Sequence, residues 1–197
     1  LYNQGQLEEA VTQANALIEQ FPRAIALYNI LGAANAGLQR FDAAIANFNH
    51  AIGIDPNHAE ALNNLGGTLQ ATGDLTRAIQ SYNRAIEIKP DYVDALYNLG
   101  NALKETGDLT RAIESYKRTI GIKPGYAKAH YNLGNTLLET GELTGAIESF
   151  KRAVAIKPDF ASAFAHKLHN QAFICDWGAI ETDRHLIPGL GVSTDFV

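Results

Sequence analysis

Residues 93–126 read VDALYNLGNALKETGDLTRAIESYKRTIGIKPGY, and residues 127–160 read AKAHYNLGNTLLETGELTGAIESFKRAVAIKPDF. The two stretches are identical at 21 of 34 positions, which marks a recent duplication. Proline carries the same period outward, because it cannot sit inside a helix and so punctuates helical arrays. Pro22, Pro56, Pro90, Pro124 and Pro158 follow one another at steps of 34, and Pro188 breaks the series. Leu31-Gly32, Leu65-Gly66, Leu99-Gly100 and Leu133-Gly134 keep the step, as do Ala44, Ala78, Ala112 and Ala146 and the aromatics Phe48, Tyr82, Tyr116 and Phe150.

Inside one unit the apolar residues recur at helical spacing: Leu96, Leu99, Gly100 and Leu103, then Leu109, Ala112, Ile113, Tyr116 and Ile120. Thr106-Gly107-Asp108 separates the runs. Gly107 suits the left-handed residue that ends a helix, and Asp108 with Thr110 favours the next start. Pro124 closes the second helix by pushing its neighbour out of the α region. Each unit therefore reads as two antiparallel helices, predicted over 25–38 and 42–54 with equivalents 34, 68 and 102 residues on. Gly100 and Ala112 carry almost no side chain, so Leu and Tyr knobs can interlock around them. A lone helix pair cannot bury both faces, so neighbouring units must stack.

The parts fall out as 1–24, the second half of an earlier unit; 25–58, 59–92, 93–126 and 127–160, four full repeats; 161–187, a degenerate repeat with a cap; and 188–197, a linker. Asn35 replaces the Leu of positions 69, 103 and 137, which predicts poorer packing or a buried hydrogen bond. Thr119 replaces the Ala of positions 51, 85 and 153 and should loosen that contact. In the last part, Asp176 is expected to cap a short helix and Trp177 to cover the final apolar face. The chain begins without Met and inside a unit, as a piece of something longer would. Its helix over 7–20, with Leu7, Ala10, Val11, Ala14, Leu17 and Ile18 on one side, is expected to pack on another copy, giving self-association through this truncated N-terminal helix.

Composition excludes several classes. Sixteen Lys and Arg against 21 Asp and Glu leave a net charge of −5, which argues against nucleic acid, whose phosphates need clustered cations. Cys175 stands alone, so there is no disulfide framework and no thiolate cluster for zinc. No apolar run approaches the roughly 20 residues that span a bilayer, so no membrane partner is expected and the reading is soluble and cytoplasmic. His166 and His169 stand a helical turn apart, with Cys175, Asp176 and His185 downstream, but the spacing matches no closed zinc pattern. No metal, no cofactor and no catalytic residue is expected, and this segment is read as no enzyme.

The repeated residues resemble the tetratricopeptide repeat, a 34-residue helix-turn-helix unit with Leu-Gly at its positions 7 and 8, Ala at 20, an aromatic at 24 and Pro at 32. The resemblance implies an all-α, right-handed superhelical solenoid whose first helices line a concave groove that binds a protein or peptide ligand. By that analogy positions 2, 5, 6, 9, 12 and 13 face the groove, and the first four give Glu60, Asp94 and Lys128; Asn29, Asn63, Tyr97 and Tyr131; Ile30, Asn64, Asn98 and Asn132; Ala33, Gly67, Asn101 and Asn135.

An Asn side chain both donates and accepts, so a row of them can pair with the amides of an extended peptide whatever its sequence. Asn64, Asn98 and Asn132 resemble the Asn ladder of O-linked N-acetylglucosamine transferases; the alternative is that they bond only water. The family's carboxylate clamp for chaperone tails is not made: Asn98 and Lys128 fit it, but Asn63, Gly67 and Asn132 stand where Lys, Asn and Arg belong. Cys175-Asp176-Trp177 resembles the junction before the catalytic region of such transferases and related bacterial proteins. Two functions follow: an interaction scaffold, or the substrate-recruiting arm of a larger, glycosyltransferase-like enzyme whose catalytic domain lies beyond Val197.

Overall fold

A computed structural model describes residues 4–174, with 178 and 180. The expected cap at Asp176 and Trp177, the residues Cys175 and His185, and the 188–197 linker lie outside the described residues. Regular structure in the described residues is α-helical throughout: α1 Gln4–Gln20, α2 Ile25–Gly37, α3 Phe41–Ile54, α4 Ala59–Ala71, α5 Leu75–Ile88, α6 Val93–Glu105, α7 Leu109–Ile122, α8 Ala127–Glu139, α9 Leu143–Ile156 and α10 Ala161–Phe173. From α2 to α9 every helix begins and ends within one residue of the expected bounds. The chain divides into two compact units between Gly107 and Asp108, so α1–α6 form an N-terminal unit and α7–α10 a C-terminal one.

The turns follow local chemistry. Gly73, Gly107 and Gly141 hold φ of +83°, +82° and +82° at the ends of first helices, a region that costs an L side chain energy. In the first full repeat that place is taken by Gln39, at φ 59°. Asp74 and Asp108 cap the helices that follow, their Oδ1 atoms accepting from the backbone N–H of Arg77 at 3.1 Å and Arg111 at 3.2 Å. Glu142 in the corresponding place makes no side-chain cap. Asp74→Ala is therefore expected to cost about 1 kcal/mol and Glu142→Ala far less. Equal shifts of the melting midpoint in the two variants would contradict the capping account.

Packing inside the pairs α2–α3, α4–α5 and α8–α9 rests on an aromatic ring laid on a glycine. A Cβ placed on Gly66 would sit 2.6 Å from the Tyr82 ring, one on Gly32 2.5 Å from Phe48, and one on Gly134 2.7 Å from Phe150. Those three rings are almost fully buried, together with Ala44, Ala78, Ala112 and Ala146. The two departures from the repeat resolve locally. Asn35 is buried and donates from Nδ2 to the Leu31 carbonyl at 2.9 Å. Thr119 is fully buried, its hydroxyl donating to the Ser115 carbonyl at 2.9 Å, so the extra oxygen meets an acceptor.

Helix α1 uses much of its apolar side within the unit. Leu7 lies against Gly37 of α2, Ala14 is buried, and Ile18 packs on the cluster of Tyr28, Ala51 and Ala61. Arg40 holds Glu8 through two hydrogen bonds of 2.7 and 3.0 Å. Leu17 and Phe21 stay exposed. In the C-terminal unit α10 closes on α9 through Phe164, Ala163, Ala153 and Val154. Gln171 of α10 is fully buried, and among the described residues its side-chain amide meets no hydrogen-bond partner.

Candidate peptide-binding groove

Position 5 and position 6 of each first helix are adjacent in sequence. In the N-terminal unit they join neighbouring first helices through side-chain amides. Asn98 of α6 donates from Nδ2 to Asn63 Oδ1 of α4 at 3.1 Å, and Asn63 donates to Asn64 Oδ1 at 3.4 Å. Asn64 then donates to Asn29 Oδ1 of α2 at 3.1 Å, and Asn29 donates to Glu60 Oε1 of α4 at 3.0 Å. An ionised carboxylate only accepts, so Glu60 obliges Asn29 to present its N–H, and each amide upstream must orient the same way. Asn63 is the most buried of the four amides, 8% exposed, and the others are half-buried. Each Asn offers two donors and two acceptor lone pairs, so none is exhausted by the row.

Beside the amides lies an open hollow of about 300 Å³, whose lining includes Asn63, Asn64 and Asn98 with Ala33, Gly67 and Ala71. The small residues at 33, 67 and 71 leave the space, and the amides furnish its polar wall. Of the other expected residues in this unit, Glu60 and Asp94 are exposed, and Tyr97 and Asn101 are half-buried.

Two tyrosines report the local field. Burial first, then the carboxylates of Glu60 and Asp94, push the Tyr92 hydroxyl above its ordinary pKa; Lys89 Nζ stands 5.1 Å from the Tyr92 ring centre. Tyr82 is also pushed up, by burial and then by Glu105. It stays a neutral donor to Gln70 Oε1 at 3.0 Å, and Gln70 donates in turn to the Glu105 carboxylate.

The C-terminal unit carries Lys128, exposed, and Tyr131, Asn132 and Asn135, half-buried, all on α8. Here the ring of Tyr131 stands 4.8 Å from Phe160 and meets His166 of α10 edge-on at 5.7 Å. Burial, then the charge of His169, lowers the His166 pKa. Among the described residues no three His, Cys, Asp or Glu side chains gather to hold a metal ion.

Asn29 and Asn63, the linking amides, and Glu60 as the end of the row were not separated from the other inward residues by sequence reasoning. The signal was available as a spacing of 35: Asn29 with Asn64, Asn63 with Asn98, and Tyr131 with His166 all pair position 5 with position 6 of the next repeat.

Profiles described as tetratricopeptide repeat match residues 1–58 and 97–159, and again 36–85, and a TPR repeat profile matches 68–107. Curated proteins give no match. Among solved structures the chain is similar to MamA, at 27% identity and a TM-score of 0.73 over 80% of this chain and 92% of that one. It is also similar to YrrB, described as a TPR protein with an unusual peptide-binding site, at 19% identity and a TM-score of 0.73 over 89% and 91%. PilF of Pseudomonas aeruginosa aligns at 16% identity and a TM-score of 0.81 over 95% and 85%. No helix of the described residues is long and apolar enough to cross a membrane. With profile matches over more than half its length and helix pairs built on the 34-residue period, the chain belongs to the tetratricopeptide repeat family.

Proposed function

We propose that the protein is an interaction scaffold that holds an extended peptide along its first helices by the peptide's own backbone. The observation that carries this reading is the oriented amide row from Asn98 to Glu60 beside an open hollow. A row held in one orientation offers N–H and C=O groups without the cost of ordering them at the moment of binding. In the C-terminal unit Asn132 is assigned the same task. The likeness to YrrB supports the reading, because that protein is described as having a peptide-binding site.

The test starts from a peptide selected by display against the immobilised 197-residue chain. Replacing Asn64 and Asn98 together by Ala is expected to weaken that peptide's affinity about five- to a hundredfold, at about 0.5–1.5 kcal/mol for each of the two hydrogen bonds lost. The melting temperature should stay within a few degrees, since the better helix propensity of Ala offsets part of the amide bonding. Unchanged affinity in calorimetry would remove the amides from the binding surface.

A further inference from the structure

The groove-facing positions of the N-terminal unit carry an uneven charge. Positions 2, 5, 6 and 9 of its three first helices hold Glu60 and Asp94 and no cation. The next turn adds Lys104, which is already engaged, and Glu105, which accepts from Gln70. Lys89 stands near Tyr92, but among the described residues neither Glu60 nor Asp94 is in an ion pair. Glu60 and Asp94 hold the same position of α4 and α6, first helices that touch one another. Glu60 accepts from Asn29 through Oε1 and is an exposed residue. The same row that offers amides to a backbone thus ends on a negative charge with spare acceptors, next to a second one.

We propose that the groove of the N-terminal unit selects an extended peptide carrying a lysine or arginine, whose backbone lies on Asn64 and Asn98 and whose cationic side chain reaches Glu60 and Asp94. This rests on the backbone-binding reading above and adds to it a chemical class of partner. A long aliphatic stem suits the span, because Glu60 and Asp94 stand one helical turn before Asn64 and Asn98 and are exposed, so the charged tip stays in water. Solvent-exposed ion pairs are individually weak, so the selection is a matter of several-fold preference and falls as salt screens the carboxylates.

The probes are three capped nonapeptides of Ala, Ser and Gly, alike except for a central Lys, Gln or Glu, titrated into the isotope-labelled 197-residue chain and followed by backbone amide shifts. At low salt the Lys peptide is expected to bind about fivefold more tightly than the Gln peptide, with the Glu peptide weakest and the shifts centred on α4 and α6. Raising salt to half-molar should bring the three affinities together. In the double variant Glu60→Gln, Asp94→Asn, where Gln keeps an acceptor for Asn29, the Lys-to-Gln ratio should fall to about one. Equal affinities of the three peptides, with shifts on α4 and α6, would overturn the charge selection and leave backbone binding standing. No shift on those helices with any peptide would overturn both. A preference in the parent chain that survives half-molar salt would also overturn the carboxylate account, and needs no variant to be read.

Discussion

Tyr82→Ala is expected to lower the stability of the N-terminal unit by about 3–5 kcal/mol, the range for removing a large buried ring from a close-packed core. Tyr82 is 1% exposed, and its ring fills the place that a Cβ on Gly66 would occupy. Collapse cannot refill that space, because the facing residue has no side chain to move. Tyr82→Phe keeps the ring and loses only the 3.0 Å bond to Gln70, a cost of about 1 kcal/mol. Urea unfolding read by circular dichroism, with hydrogen exchange on α4 and α5, separates the two. In a repeat protein the loss concentrates in the altered pair and its neighbours, so protection should fall first there. Similar losses in the two variants would show that the ring on the glycine is not what holds the pair.

Two glycines should answer substitution with opposite signs. Gly134→Val puts a branched side chain where the Phe150 ring already stands, 2.7 Å from the Cβ position, and should cost about 2–3 kcal/mol as overpacking. Gly121 in α7 has nothing within 4 Å of its Cβ position and a helical backbone. Gly121→Ala should stabilise by about 0.5–1 kcal/mol through helix propensity and a less flexible unfolded chain. Melting midpoints that move the same way in both variants would break this distinction between packing glycines and idle ones.

The fold was legible because period and punctuation are written in residue types. Pro, Gly and the buried Ala and aromatic positions recur every 34 residues, and each is tied to a backbone or packing need. Asn64 and Asn98 were marked as groove candidates by the resemblance to the repeat family, which assigns position 6 to that side. The spacing of 35 that joins Asn29 to Asn64 and Asn63 to Asn98 is present in the sequence too, but it gains its meaning only from how far one first helix is displaced along the next, and no residue type states that offset. Gln39 in the left-handed turn and the buried amide of Gln171 were equally invisible. Gln39 is exposed and held by the local bonds of its own turn, its N–H donating to the Ala36 carbonyl and that of Arg40 to Asn35, whereas Gln171 is held by burial in the packed helix.

The spacing of 35 also bears on how such a surface lengthens. When a 34-residue unit is copied in the gene, its Asn at position 6 arrives already in register with whatever stands at position 5 of the parent copy. The ladder and the core therefore grow by the same event, with no second mutation needed to connect the new rung. The residue at that place differs between copies: position 5 is Asn at 29 and 63, where it accepts from an amide of the next first helix, and Tyr at 131, where its ring meets His166. Each copied unit thus inherits a socket whose chemistry is set by a single codon.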